Sequence, residues 1–276
     1  MTLRFAYNTN GTANHRLDDA IDLIAEAGYD GVALTLDIHH LDPFAEGWVK
    51  EAERVASRLQ RLGLGSVIET GARFLLDPRA KHEPTLVTAD ASARLHRIGF
   101  LKRAFEIGGI LGSEAVSFWA GVPKPGVDHA DAKTWLREGL VEIVAYAEEQ
   151  GVAACLEPEP GMLIETLDDY AALQIDGLRL ALDTGHCLVT QEREPAAAVA
   201  EFADRIGTVA IEDMARGVHI HLPFGEGDMD VPGVLAALES IGYEKLVCVE
   251  LSRESHRADI MVPASLSYLR ECRRHG

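Results

Sequence analysis

Four short apolar runs in the second half of the chain each stop on a carboxylate. LEPEP (156–160) carries Glu157 and Glu159, LALD (180–183) ends on Asp183, VAIED (209–213) brings Glu212, and VCVE (247–250) ends on Glu250. One or two such endings would mean little, because helix N-caps favour Asp and loops are polar. Four in succession, each straight after apolar residues, would repel one another if the runs converge on one small opening. Such a cluster either traps protons or holds a divalent cation. Histidines accompany it. DTGH places His186 three residues after Asp183, and VHIHLPFGEG (218–227) supplies His219 and His221. In an extended segment residues two apart face the same way, so both imidazoles can reach one ligand. The same alternation joins Glu157 to Glu159, since Pro158 forces the residue before it into extended backbone.

Each of these runs belongs to a phrase that recurs along the chain: an amphipathic helix, a glycine or turn, then a short apolar strand. Strands are expected within LRFAYN (3–8), AEAGYDGVAL (25–34), LQRLGLGSVIET (59–70) and FEIGGILGSEAVSFW (105–119). Four more fall within YAEEQGVAACLEP (146–158), LQIDGLRLALDT (173–184), FADRIGTVAIED (202–213) and LESIGYEKLVCVEL (238–251). The segments between them are long enough for helices. LDDAIDLIAEAG (17–28) and WLREGLVEIVAYAEEQG (135–151) space their apolar residues by three and four, and the second ends at a helix-terminating Gly151. Strand and helix repeated eight times without a composition break predict an α/β protein of one domain over residues 1–276, a closed (β/α)8 barrel. An open doubly wound sheet would carry a glycine-rich nucleotide loop after its first strand, and NTNGTANH (8–15) is not G-x-G-x-x-G. In a barrel, ligands bind at the C-terminal strand ends, which is where the carboxylates stand.

Composition narrows the function. The 276 residues are 47% hydrophobic, ample for a large core, and carry a formal net charge of −18. That charge repels polyanions, and the short clusters RLQR (58–61) and RECRRH (270–275) do not make a basic patch, so nucleic acid is not an expected partner. No run of eighteen apolar residues spans a membrane and the start lacks a secretion-signal core. Cys155, Cys187, Cys248 and Cys272 show no C-x-x-C spacing, and three lie in or beside apolar runs. A reduced, cytoplasmic protein is the expectation, with assembly as a homo-oligomer left open. Among the other histidines, His39 and His82 are expected at the surface, with the mouth of the barrel, reached from βα loops, as the alternative.

LEPEPG, DTGH, H-x-H with its G-E-G-D-M-D continuation, and VELSR together resemble the xylose-isomerase-like TIM barrels. That family includes sugar-phosphate isomerases and epimerases, hydroxypyruvate isomerases and metal-dependent apurinic endonucleases. The resemblance implies one divalent ion, manganese, magnesium, cobalt or zinc, held by a glutamate from the fifth strand, an aspartate from the sixth, a histidine or glutamine from the seventh and a glutamate from the eighth. By position these are Glu157, Asp183, Ala210 and Glu250. Ala210 cannot ligate, so either water completes the site or Glu212, His219 or His221 does. An oxygen-rich set suits Mn²⁺ or Mg²⁺, and added imidazole favours Zn²⁺ or Co²⁺. The resemblance further implies a small sugar-like substrate, a ketose, sugar phosphate or α-hydroxy carbonyl, isomerised or epimerised through an enediolate by Glu157 and Glu250. His186 and Glu159 would bind its hydroxyls, Trp119 would cover a sugar face, and Arg73 and Arg253 would meet an anionic group. A lyase or hydrolase on the same barrel, or a non-catalytic metabolite-binding barrel, are the competing expectations.

The endonucleases in that family use histidines on the third and fourth strands, where this chain reads VIETG and SFWAG. DNA carrying abasic sites is therefore expected to survive incubation with the metal-loaded protein at physiological salt. Efficient metal-dependent nicking in a gel assay would overturn that expectation.

Overall fold

In the computed structural model, which describes residues 2–275, eight parallel strands close into a barrel in sequence order. They are β1 (Arg4–Asn8), β2 (Gly31–Thr35), β3 (Gly65–Glu69), β4 (Ala115–Trp119), β5 (Ala153–Glu157), β6 (Arg179–Asp183), β7 (Ile206–Ile211) and β8 (Leu246–Val249). The circle closes because β1 pairs with both β2 and β8. The helices around it are α1 (Leu17–Ala27), α2 (Trp48–Leu62), α3 (Ala91–Leu111), α4 (His129–Gln150) and α5 (Leu167–Leu173). They continue with α6 (Thr184–Thr190), α7 (Pro195–Glu201), α8 (Val231–Ser240) and α9 (Ala258–His275). The (β/α)8 expectation holds.

Local chemistry sets the boundaries. In α1 the buried residues Leu17, Ala20, Ile21 and Ile24 recur at helical spacing and form one face. The helix stops at Gly28, which takes the left-handed conformation and donates back to Ala25 and Ile24. Helix α4 begins earlier than its apolar stripe indicates, because the Asp128 side chain accepts from Ala130 N and nucleates a first turn before Trp135. The crossover from β6 to β7 differs from the expected single helix. It is split into α6 and α7, the second starting at Pro195.

Two cores result. The larger lies between strands and helices, with Phe5, Leu34, Ile68, Phe118, Leu156 and Leu182 pointing outward into it. The smaller fills the barrel: Ala6, Ala33, Val67, Ala115, Cys155, Ala181, Leu246 and Cys248. Its small side chains answer the cysteine question, since Cys155 and Cys248 are free thiols packed as small hydrophobes inside the barrel. The N-terminal end is closed by Arg4, which donates to Glu114 at 2.6 Å, while Glu114 also accepts from Leu246 N at 2.9 Å.

Alternation along each strand then decides what reaches the other end. Above the small core, the inward positions are Asn8, Thr35, Glu69, Ser117, Glu157, Asp183, Ala210 and Glu250, with Trp119 a further step along β4. On β7 this depends on a bulge. Leu180 pairs with Ile206 but Ala181 pairs with Thr208, so the extra residue Gly207 resets the alternation and turns Ala210 inward. Gly207 fits there because a Cβ would collide with Cys155 Sγ. Among the described residues no helix is long and apolar enough to cross a membrane.

Candidate metal centre and active site

The C-terminal mouth of the barrel opens into a cavity of about 540 Å³, a size suited to a small metabolite. Glu157, Glu159, Glu250, His186, His219 and His221 line it, together with Trp119, Arg73 and Arg253. A second cavity, of about 10 Å³, shares the walls Glu69, Ser117, Glu157 and Glu250 and adds Asp183, Thr208 and Ala210. That volume holds one water-sized species. The sequence-expected carboxylates Glu157, Asp183 and Glu250 therefore meet around one small space, and the alanine methyl at position 210 faces the same space.

Asp183 is buried and serves two purposes. One oxygen caps α6, accepting from His186 N at 3.0 Å, while the other, Oδ2, has no hydrogen-bond partner and lies 3.4 Å from His186 Nε2. Burial opposes its charge, yet His186 and His221 outweigh that and hold it below the ordinary Asp range. Gly185 in DTGH makes room for a neighbour, since a Cβ there would collide with Glu212 Oε1. His186 is oriented from behind. Its Nδ1 lies 3.0 Å from the Pro158 carbonyl, which can only accept, so the neutral ring carries its proton on Nδ1 and presents the Nε2 lone pair to the mouth. Metal-binding imidazoles are commonly held this way. His219 Nε2 sits 3.2 Å from that lone pair and is placed to donate to it.

The H-x-H segment reaches the mouth because the chain doubles back after β7. Asp213 and Leu222 form an antiparallel bridge, with Asp213 N donating to Leu222 O at 3.1 Å and Leu222 N returning the bond at 2.7 Å. The Asp213 carboxylate then accepts from Gly225 N and Met229 N, tying down the G-E-G-D-M-D turn. His221 lands with Nδ1 3.9 Å from Glu212 Oε2, too far for a hydrogen bond, and both Glu212 oxygens and this nitrogen are buried without a partner. Burial pulls the His221 pKa down, but the carboxylates of Glu212, Glu250 and Asp183 outweigh it and raise it to about 10. His219 goes the other way, to about 4, through burial and the neighbouring His186.

Three donor sets among the described residues bring their ligand atoms within 4.8 Å of one another: His186 with His219 and His221, Glu157 with Glu159 and His186, and Asp183 with Glu212 and His221. Glu157, Asp183 and Glu250 are not such a set by themselves; they are brought together as walls of the small cavity. Glu250 is steadied by Asn10, whose Nδ2 donates to Oε1 at 2.8 Å. Trp119 is buried with one side on the cavity, its ring edge-on to His82 at 5.4 Å. His82 corrects the sequence expectation of a surface residue. It is half-buried and lines the mouth, its Nδ1 2.8 Å from the Gly71 carbonyl.

Sequence reasoning missed Glu69. It ends β3, lines both cavities, and is raised well above the usual carboxylate range by burial and by Glu250 and Asp183. The signal was present in VIETG, where a carboxylate follows an apolar run as at the four later strand ends. Burial and the neighbouring Glu159, Asp183, Glu250 and Glu69 raise Glu157 in the same sense.

These raised values have a consequence for stability. Glu69, Glu157 and Glu212 in the folded chain keep protons that the unfolded chain has released, and so does His221 above its unfolded value. The folded state thus binds more protons near neutrality, and its stability falls as pH rises. The opposing groups, Asp183 and the lowered His219, His40 and His82, act mainly below that range. Urea unfolding of chelator-treated protein between pH 7 and 8 is expected to show a falling midpoint, up to about 1.4 kcal/mol per pH unit for each retained proton. Glu69→Gln should flatten the slope. A midpoint that is level or rises with pH would contradict this account.

Comparisons place the chain among known proteins. The family model described as xylose isomerase-like TIM barrel matches residues 21–272. The structure of an L-ribulose 3-epimerase superposes with TM-score 0.78 at 20% identity, over 99% of this chain and 97% of that one. A D-allulose 3-epimerase from Methylomonas sp. gives 0.76 at 19% identity, over 98% of both chains. An IolI protein with a bound zinc atom gives 0.77 at 19%, also over 98% of both. A 2-oxo-tetronate isomerase of Cupriavidus necator is 24% identical over 155 residues, 53% of this chain, and the match spans 58% of that protein.

Proposed function

The chain belongs to the xylose isomerase-like TIM-barrel family, and on that footing we propose that it is a divalent-metal-dependent isomerase or epimerase of a small ketose or α-hydroxy carbonyl compound. The observation that carries the reading is the ring of inward carboxylates, Glu69, Glu157, Asp183 and Glu250, around one water-sized cavity at the mouth. Unpartnered, buried Asp183 Oδ2, Glu212 Oε1 and Oε2, and His221 Nδ1 fit the needs of a cation beside them. Manganese, magnesium, cobalt and zinc are all compatible with this mixed oxygen and imidazole set. The 3-epimerase activities named for two structural neighbours and the isomerase named for the partial relative support the same class.

Glu157, Asp183 and Glu250 would hold the ion, with His221 and Glu212 offering the donors that Ala210 lacks. When bound, a divalent ion polarises a carbonyl and stabilises an enediolate. The chain's own groups do the proton work. Glu157 and Glu250 project from β5 and the end of β8 into the same cavity, so a hydroxy ketone between them has a carboxylate near each side. One removes the proton from the carbon next to the carbonyl, and either returns it to the same or the adjacent carbon. The raised Glu157 suits that exchange, because burial and neighbouring carboxylates make it a stronger base than an ordinary carboxylate. Glu250, anchored by Asn10, keeps its direction. His186 and Glu159 are 3.7 Å apart and bracket positions where substrate hydroxyls bind, and Trp119 offers an apolar face to the carbon skeleton.

Three measurements test this. Metal analysis of purified protein is expected to find about one divalent ion per chain, lost in Glu157→Ala, Asp183→Ala and Glu250→Ala; equal loading of wild type and variants would place the ion elsewhere. Metal affinity between pH 5 and 8 should weaken in His221→Ala and Glu212→Ala. If neither changes and Ala210→His tightens binding, water fills the seventh-strand position. Solvent deuterium should enter a ketose in the wild type, and Glu157→Gln and Glu250→Gln should slow that by about 10²- to 10⁴-fold. Metal binding with no exchange from any ketose, inosose or hydroxypyruvate would favour the non-catalytic reading, and a change in substrate mass would favour a lyase or hydrolase.

A further inference from the structure

Each of the three tryptophans lies under an arginine of α3: Trp135 under Arg94 at 4.3 Å, Trp119 under Arg97 at 4.4 Å and Trp48 under Arg103 at 4.0 Å. Two of these arginines are half-buried and well bonded. Arg94 donates to the Thr88 and Ala89 carbonyls at 2.7 and 2.9 Å, and Arg103 to Glu106 and the Pro43 carbonyl, both at 2.8 Å. Arg97 is neither. It has no exposed surface and is the bulkiest of the fully buried side chains, with Nε and Nη1 lacking any partner. No carboxylate pairs with it among the described residues, and Glu83, whose charge it feels, is taken by Lys124 at 2.7 Å. On α3 it shares a buried stripe with Leu101, Ala104 and Gly108, where an apolar side chain would pack. Its contacts offset the cost of burying its charge without a surplus, so a methionine of similar length would serve packing at least as well. Stability does not account for this arginine.

Position accounts for it instead. One nitrogen donates to the Thr70 carbonyl at 3.2 Å, and the Thr70 hydroxyl donates to the Ser117 carbonyl at 2.7 Å. The β3–β4 ladder pairs Ile68 with Val116 and Glu69 with Ser117 and ends there, so these two bonds take over where the strand ends lose their ladder. Thr70, Ser117 and Trp119 all line the cavity. We propose that Arg97 is a positioning residue, which presets the β3–β4 wall of the active site by holding the Trp119 indole and the Thr70 carbonyl in fixed places before a ligand arrives. The inference rests on the isomerase reading above, in which Trp119 faces the carbon skeleton, and adds to that site a residue from the helical layer outside the barrel. The geometry favours arginine over other side chains. A planar guanidinium covers an aromatic face while its N–H groups reach a carbonyl, whereas an ammonium does one of the two well and a thioether neither. His82 meets the same indole edge-on at 5.4 Å, so the ring is held from two directions. A ligand that meets a ring already in place binds at a smaller cost in ordering than one that must arrange it.

The W48F/W135F variant leaves Trp119 as the sole tryptophan of the full chain. In the magnesium-loaded protein its time-resolved fluorescence anisotropy is expected to report whole-molecule tumbling alone, and adding R97M should introduce a subnanosecond component, the timescale of a freed side chain. The thermal midpoint of R97M should stay level or rise, and R97K should show an indole of intermediate mobility. A rigid indole or a lowered midpoint in R97M overturns the proposal, because the arginine then serves the core. If R97M fails to fold, R97K decides: a loosened indole in the folded variant supports the positioning role and a rigid one overturns it. Solvent deuterium uptake into D-allulose, L-ribulose and hydroxypyruvate by manganese-loaded protein gives a second readout. R97M should raise KM about tenfold with kcat kept within about threefold, the pattern of lost binding. In a W119F background the same change should move KM no further, because its effect passes through the indole. An unmoved KM, or effects that simply add, overturns the proposal. No uptake from any of the three by the wild type counts against the isomerase reading alone, and the indole then judges Arg97.

Discussion

Like charges brought together inside a barrel mouth are the constraint around which this structure is arranged. Two unit charges about 4 Å apart repel by about 4 kcal/mol at the effective dielectric of a protein site. That exceeds what a single charge-assisted hydrogen bond returns. Glu69, Glu157, Asp183 and Glu250 sit together at one level with Glu212 beside them, so the chain must compensate. Three devices do so. Burial and mutual repulsion strengthen the hold of Glu69, Glu157 and Glu212 on protons, the raised imidazole of His221 stands among them, and neutral donors such as Asn10 reach in. Each is weaker than a divalent cation at the same place, and each would give way to one, because protons and metal compete for the same lone pairs.

The small interior of the barrel and the folded-back segment after β7 both serve that cluster. Alanines and cysteines below it let the strands come close enough for their C-terminal side chains to meet over one space. The segment above is held by the Asp213–Leu222 bridge and by Asp213's bonds to the following turn, not by packing of its own histidines. His219 and His221 are thus delivered by a backbone device that works whether or not they are charged. Where Ala210 offers no donor, the bridge brings imidazole to the mouth from the loop after β7 rather than from the strand itself.

Much of this was legible in the sequence, and the reasons it was are specific. Apolar runs that end on a carboxylate marked Glu157, Asp183 and Glu250 as strand-end residues, alternation put Glu157 and Glu159 on one face, and the family resemblance grouped the three as a ligand set. The terminal glycines Gly28 and Gly151 marked two helix ends. What escaped notice was of two kinds. Glu69 obeys the same rule as the others but lies in the first half of the chain, in a run searched for histidine. Its role depends on barrel closure, which alone sets β3 within reach of β8. Asn10 and Lys81 escaped for a different reason, and His82 was expected at the surface for the same one: they face the cavity because of turn geometry over segments with no periodicity, and no spacing rule applies there. Helix α4 and the split crossover show the same limit, since a cap or a proline moves a boundary that apolar spacing does not see.

One buried cation stands outside the cluster and shows how its far wall is kept firm. Arg97 on α3 is fully buried, with its guanidinium 4.4 Å above the Trp119 ring and 5.2 Å from Phe100. One nitrogen donates to the Thr70 carbonyl at 3.2 Å, whereas Nε and Nη1 have no partner. Burial lowers its pKa to about 9, so it stays charged at neutral pH even there. A charge this poorly hydrogen-bonded is retained only where another attraction offsets its desolvation, and the aromatic face supplies it. Trp119 is then fixed on one side by Arg97 and met edge-on by His82, and cannot turn without uncovering the guanidinium. The mouth thereby has two walls of opposite kind: one where protons and carboxylates can rearrange, and one where a stacked indole cannot.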